Sequence, residues 1–174
     1  MSINRGKRFE DVIKTAFEKV PGVSIDRLHD QTTGYAGSSN ICDFIVYKEP
    51  YEYYIECKSV HGNTLSIHGN NPKHKYGNIT NTQWEGLLEK SKIEGVHAGI
   101  ICWWVDKDVT AYLPIEMLQY LRDKGYKSVS YTANWVELAV DAPDWNWCWV
   151  NGKKKRVFFD YSMEEFLNEV GEEL

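Results

Sequence analysis

Asp43, Glu56 and Lys58 are the residues whose types and spacing can do chemistry together. Asp43 lies in the β-rich run Ile41-Cys42-Asp43-Phe44-Ile45-Val46, where a carboxylate among apolar residues is expensive to bury without a partner. Ile55-Glu56-Cys57-Lys58 closes the next β-rich run, and the period of two puts Glu56 and Lys58 on one face, with Ile55 and Cys57 on the other. Lys48-Glu49-Pro50 separates the runs 41–47 and 51–58 and predicts a hairpin in which Asp43 approaches Glu56. Two close carboxylates repel, so they favour a divalent cation held by oxygen ligands. A lysine two positions further on can steady a developing anion. That is equipment for metal-assisted phosphodiester hydrolysis. The same triplet also reads as a cross-strand ion pair on a solvated sheet face, and both readings stand at this point.

Two further polar residues belong to the question. Glu10 follows Phe9 on the apolar side of a predicted first helix, from where it can point along the sheet edge toward Asp43. It reads equally as a solvated carboxylate favoured near a helix N-terminus. Gln83 opens a later helix, but Thr80-x-x-Gln83 is also a capping box, a purely structural role.

The elements that must position these groups follow from periodicity. Phe9, Val12, Ile13, Ala16, Phe17 and Val20 form one apolar face and predict a helix over 6–20, stopped by Pro21-Gly22. A short strand is expected over 23–28 and a polar loop over 29–40. Residues 59–79 read as turns. A helix starts near Asn81 with Trp84, Leu87 and Leu88 on one side, and Gly95 stops it. The most apolar strand, a central one, spans 96–105. Residues 111–113 form a short strand, and Pro114 opens a helix through Arg122, with Gly125 as its stop. Residues 145–160 predict a second hairpin with Asn151-Gly152 as a type I′ turn, and Ser162-Met163-Glu164-Glu165 a capping box opening the last helix. This order predicts an α/β fold, a mixed sheet flanked by helices, in a single domain over 1–174. Its core covers about 4–135, and 136–174 form an extension with an extra hairpin and helix.

Composition sets the outer bounds. The chain has 174 residues, 43% of them hydrophobic and 26% charged, which excludes a disordered chain. No apolar run is long enough to span a bilayer, and the first eight residues carry no secretory h-region, so the expectation is a cytoplasmic protein without a membrane partner. The four cysteines lack CxxC spacing and are expected to be reduced. The net charge of −5 argues against a nucleic-acid partner, but 164–174 hold five acids and no Lys or Arg, so the remainder is neutral. Within it, Arg5, Lys7 and Arg8, then Lys73, His74 and Lys75, then Lys153 to Arg156 form local cationic clusters.

The ordered pieces resemble a known family. Asp43…Glu56-Cys57-Lys58 is similar to the PD-(D/E)xK nuclease pattern, and more narrowly the chain resembles the RecU-type Holliday junction resolvases over about 4–135. The matching pieces are Asn4-Arg5-Gly6 with Phe9-Glu10-Asp11, the stretch from Thr32-Thr33 to Asp43, and Tyr54-Ile55-Glu56-Cys57-Lys58-Ser59. Gln83, Gly99-Ile100-Ile101 and Tyr112-Leu113-Pro114-Ile115 continue the series. The resemblance implies a restriction-endonuclease-like core. It implies Asp43, Glu56 and the carbonyl of Cys57 as metal ligands for Mg²⁺ or Mn²⁺, Lys58 as catalytic lysine, and Glu10 and Gln83 as auxiliary catalytic residues. It further implies DNA as the substrate, a four-way junction in particular, and a homodimer suited to two symmetric cuts. Arg5, Lys7, Arg8, Lys73 and Lys75 are the expected DNA contacts. The chain departs from the resolvases in lacking their long basic stalk before Asp43 and in its acidic charge. A compact relative of this sort suits a bacteriophage or mobile element in a bacterial cell.

Competing readings remain. One is a restriction, homing or repair endonuclease on duplex DNA; another is a non-catalytic DNA-binding protein on a nuclease fold. His61, His68 and His74 share a loop, but their spacing matches no zinc pattern. Lys73-His74-Lys75-Tyr76 reads as a phosphate-contact patch or a solvated loop. Trp147 and Trp149 read as a stacking platform for single strands, or as core or interface residues.

Overall fold

Helix α1 (Arg5–Glu18) begins where Asn4 turns its side-chain oxygen onto the Lys7 N–H at 3.2 Å, satisfying one of the orphan donors of a helix start. Its apolar stripe is the predicted one: Phe9, Ile13, Ala16 and Phe17 are buried, the large ones each contributing roughly 1.5–3 kcal/mol by leaving water. Gly22 sits at a φ of +74°, where a side chain would strain the turn into β1 (Ser24–Arg27). The computed structural model describes residues 4–29, 40–132 and 145–172. The quoted Thr32-Thr33 pair and most of the loop predicted over 29–40 lie outside them.

The hairpin is β2 (Phe44–Lys48) and β3 (Tyr51–Val60), followed by the short β4 (Thr64–Ser66) and α2 (Asn81–Ser91). Then come β5 (Val96–Trp104), β6 (Val109–Pro114), α3 (Ile115–Asp123) and β7 (Ser128–Ser130). The described chain ends with β8 (Cys148–Trp149), β9 (Gly152–Lys154), β10 (Phe159–Tyr161) and α4 (Met163–Gly171). One sheet runs β1-β2-β3-β5-β6-β8; β3 and β5 are parallel and every other neighbouring pair is antiparallel. This is the expected α/β architecture, a mixed sheet flanked by helices. The parallel pair needs a crossover, and α2 supplies it.

Strict alternation divides the sheet's side chains between two cores. Tyr53, Ile55, Cys57, Ile101, Trp103 and Tyr112 face α1 and α4. Tyr54, Ile100, Cys102, Trp104, Ala111 and Leu113 face α2 and α3. Glu56 and Lys58 fall in phase with the second set, which turns them toward α2. All four cysteines are buried and free, and among the described residues no helix is long and apolar enough to cross a membrane.

Three expectations are corrected. The strand carrying the hairpin's first half starts at Phe44, so Asp43 stands just before it and not inside it. Asn151-Gly152 is not a hairpin turn: Cys148 pairs with Tyr112 at the sheet edge, and Gly152–Lys154 pairs with Phe159–Tyr161 instead. The open edge of β6 offered Cys148 and Trp149 a longer-range partner, and the turn moved on to the basic stretch after Lys154. Ser162 occupies the α4 N-cap without a side-chain cap bond. Its N–H is already donated to the Asn151 carbonyl at 2.8 Å, and Glu165 accepts from Asn151 Nδ2 at 3.1 Å, so the Glu165 half of a capping box is diverted to Asn151. The small β4–β7 sheet was not foreseen.

Candidate active site

The hairpin register sets Phe44 opposite Ile55, which places Asp43 beside Glu56 one step earlier. The Asp43 N–H donates to the Ile55 carbonyl at 3.1 Å, and the Leu28 N–H donates to the Asp43 carbonyl at 2.8 Å. Asp43 thus continues the sheet as a tethered end, while its Oδ2 accepts the Cys57 N–H at 2.8 Å. Gly86 of α2 holds the other side: a Cβ there would stand 2.2 Å from Ile41 Cγ2, so only glycine lets this segment press onto the helix.

Glu56 is 3% exposed. Its Oε1 accepts from Lys58 Nζ at 2.9 Å and from Gln83 Nε2 at 2.8 Å, and Lys58 Nζ also donates to Gln83 Oε1 at 3.1 Å. Gln83 holds both roles read from the sequence. Its Oε1 accepts the Thr80 N–H at 3.1 Å while its own N–H donates to Thr80 Oγ1, closing the capping box that starts α2. The helix start is therefore locked, and the amide that locks it also orients Glu56 and Lys58. The second Glu56 oxygen, Oε2, is buried without a hydrogen-bond partner.

Glu10 reaches the same cleft from α1. Its Oε2 accepts from Arg27 at 2.6 Å, and Arg27 also donates to Asp11 at 2.6 Å. The cleft, about 650 Å³, brings together Glu10, Asp43, Glu56, Gln83, Lys7 and Arg27. Its carboxylates stand under electrostatic pressure. Burial first, then the Asp43 charge, pushes Glu56 up to about 8. Burial raises Asp43 against the pull of the Cys57 N–H and Lys58. Glu10 is raised by burial and by Asp43, with Arg27 opposing. Three acids that are all harder to ionise than usual, with one buried oxygen unpaired, form a site short of positive charge.

The predicted site residues divide as follows. Asp43, Glu56, Lys58, Glu10 and Gln83 converge. Cys57 turns its thiol into the opposite core and offers the cleft only its main chain, of which the N–H is spent on Asp43. Lys7 lines the cleft. Arg8 stacks over Phe158, with 5.4 Å to the ring centroid, on the outer side of α1. Lys75 pairs with Glu85 at 3.2 Å, and Lys73 follows Asn71 in a 3₁₀ turn before α2. His61 bonds Asp106 at 3.1 Å, and Trp147 and Trp149 meet edge to face and pack half-buried against the α2–α3 core. Sequence reasoning missed Arg27, His29 and Asn40, which also line the cleft. Arg27 had one available signal, its place at the end of a short strand preceding Asp43; its pairing with Glu10 and Asp11 had none.

No protein-family model matches the chain, and no curated protein matches it significantly. Among solved structures it is similar to Hjc, a Holliday junction resolvase from the archaeal hyperthermophile Archaeoglobus fulgidus. The identity is 18% and the TM-score 0.44, over 64% of this chain and 78% of that one.

The donor set can be tested against a divalent cation. Among the described residues no group of three His, Cys, Asp or Glu side chains forms a ready-made metal cage. A small, hard cation of the Mg²⁺ type needs no such cage, being held by one or two carboxylates, waters and substrate phosphate. The unpaired Glu56 Oε2 and the raised carboxyls supply the demand such a cation meets. The residues fit the group.

Proposed function

We propose that the chain is a divalent-cation-dependent DNA endonuclease, and that its substrate is a four-way junction cut by a homodimer. One observation carries the nuclease reading: a buried carboxylate, Glu56, with one oxygen clamped by Lys58 and Gln83 and the other unpaired, beside Asp43 in an open cleft. An ion pair on a solvated sheet face needs neither the burial nor the unpaired oxygen. The junction and the dimer follow from the resemblance to RecU-type resolvases.

Asp43 and Glu56 would hold Mg²⁺ or Mn²⁺, with the Cys57 carbonyl as a further ligand. The bound cation would supply Lewis-acid stabilisation of charge on the scissile phosphate. The protein's own part is positioning. Gln83 fixes the Glu56 carboxylate and the Lys58 ammonium relative to each other from a capped, rigid helix start. Lys58 brings its positive charge to the cleft, where it favours the phosphorane-like charge of the reacting phosphate over the ground state. Arg27 holds Glu10 by an ion pair, which limits its repulsion of Asp43. Lys7 at the cleft wall is placed for a neighbouring phosphate.

The test is a cleavage panel of four-way junction, fork, linear duplex and single strand, with Mg²⁺ and with EDTA. Symmetric Mg²⁺-dependent nicking of the junction, by a protein of about 40 kDa in light scattering, is expected, twice the 20.2 kDa of one chain. Equal cutting of junction and duplex by a monomer refutes the resolvase reading and leaves the endonuclease. No cutting of any DNA refutes both.

A further inference from the structure

The C-terminal hairpin β9–β10 and the outer face of α1 enclose a second groove, of about 560 Å³, beside the active-site cleft. Arg8, Asp11, Thr15 and Lys19 supply one wall, and Lys155 and Asp160 belong to the other. On α1 these positions form the stripe next to Lys7 and Glu10, so cleft and groove share the helix as a common wall. Arg27 is the seam, bonding Glu10 on the cleft side and Asp11 on the groove side. The groove's acids are each paired: Arg27 bonds Asp11 as well as Glu10, and Lys19 holds Asp160 at 2.7 Å. Lys19 first, with Lys155 and Lys153 adding, keeps the Asp160 carboxyl below the usual range. Lys154 pairs with Asp108 at 2.6 Å. Lys153, Lys155 and Arg156 remain exposed at the hairpin, and Arg8 stacks on Phe158 at the groove's inner end.

We propose that this groove is a track for the sugar–phosphate backbone of the DNA arm leading away from the cleft, with the β9–β10 hairpin as its outer wall. The proposal rests on the nuclease reading only in taking DNA as the ligand. From Arg8 to Lys19 the helix rises about 16 Å, the axial length of about five base pairs of duplex. Arg8 and Lys155 line the groove, and Lys153 and Arg156 stand exposed on the same hairpin beside it. Cations that follow the backbone contact phosphates, so the contact is independent of DNA sequence. It also gives an acidic chain a concentrated cationic surface where the substrate must pass.

The experiment measures binding of a fluorescent four-way junction and a duplex by anisotropy over a range of salt, in EDTA so that nothing is cut. Lys155→Ala/Arg156→Ala is compared with Lys92→Ala/Lys124→Ala, which removes the same charge from exposed sites away from the groove. The hairpin pair should flatten the plot of log K against log salt by about 2 and weaken binding roughly tenfold at moderate salt, while the control pair leaves both near wild type. Arg8→Gln/Lys19→Gln should reproduce the flattening from the opposite wall, independently of how the hairpin folds. Equal changes in all pairs, no change in any, or no DNA binding by the wild type overturns the track. A chain that cleaves while its salt slope ignores the hairpin loses the track and keeps the nuclease reading. One that binds through the hairpin and never cleaves does the reverse.

Discussion

Replacing Glu56 with Gln separates the site's chemistry from the stability of the fold. In the metal-free protein Glu56 holds its proton to about pH 8, whereas in the unfolded chain it ionises near 4.5. Between those values the folded state binds more protons than the unfolded one, so stability falls as pH rises. The contribution is fully present below pH 4.5 and is lost by the time pH passes 8. Each pH unit in that window costs about 1.4 kcal/mol, which sums to roughly 5 kcal/mol; water entering the open cleft reduces this to a few kcal/mol. Gln is neutral throughout. Its oxygen can still accept from Lys58 and Gln83.

The expected result in urea denaturation, in EDTA, is near-equal stability of Glu56→Gln and wild type at pH 4.5. The variant should gain as pH rises, reaching about 2–4 kcal/mol above wild type at pH 8.5. Cleavage should be abolished at every pH. A variant that is no more stable than wild type at pH 8.5 refutes the argument that burial of this carboxylate is uncompensated in the free protein, and with it the reason for assigning a cation here.

Mg²⁺ at about a hundred times its dissociation constant should stabilise the wild type by about 2.7 kcal/mol, read as a rise in Tm; Asp43→Asn should lose most of that rise while keeping its fold, because the Asn oxygen still accepts the Cys57 N–H. Equal Mg²⁺ shifts in both proteins would move the cation elsewhere. Lys58→Ala should lower kcat by at least a hundredfold with DNA affinity changed less than threefold, since one ammonium among many phosphate contacts adds little to binding; a loss confined to affinity would make Lys58 a binding residue. Arg27→Met should destabilise by about 1–2 kcal/mol at pH 7 by leaving Glu10 facing Asp43 unpaired. That loss should shrink as pH falls through the raised range in which Glu10 protonates, above its usual 4.5, and a pH-independent loss would point to packing against Phe44 instead.

The sequence by itself determined the α1 face, the hairpin with Asp43 beside Glu56, and the common phase of Glu56 and Lys58, because each rests on a local period or turn. The capping box of α2 was legible for the same reason, its two residues three apart and closed by their own helix. Only the tertiary structure decided what those groups touch. That Gln83 serves both its cap and the Glu56–Lys58 pair depends on the α2 crossover lying over β3, a placement set by the parallel pairing with β5. Arg27 joining Glu10 and Asp11 depends on α1 and β1 meeting across a turn. Where the sequence misled, a strong local signal met a stronger distant partner. Asn151-Gly152 carries the hairpin pattern, yet the open edge of β6 took Cys148 and Trp149 into the main sheet and shifted the turn onto the basic stretch. Local signals fix an element's type; the choice between competing hydrogen-bond partners is made only when the rest of the chain is in place, because each candidate strand can satisfy its backbone just once.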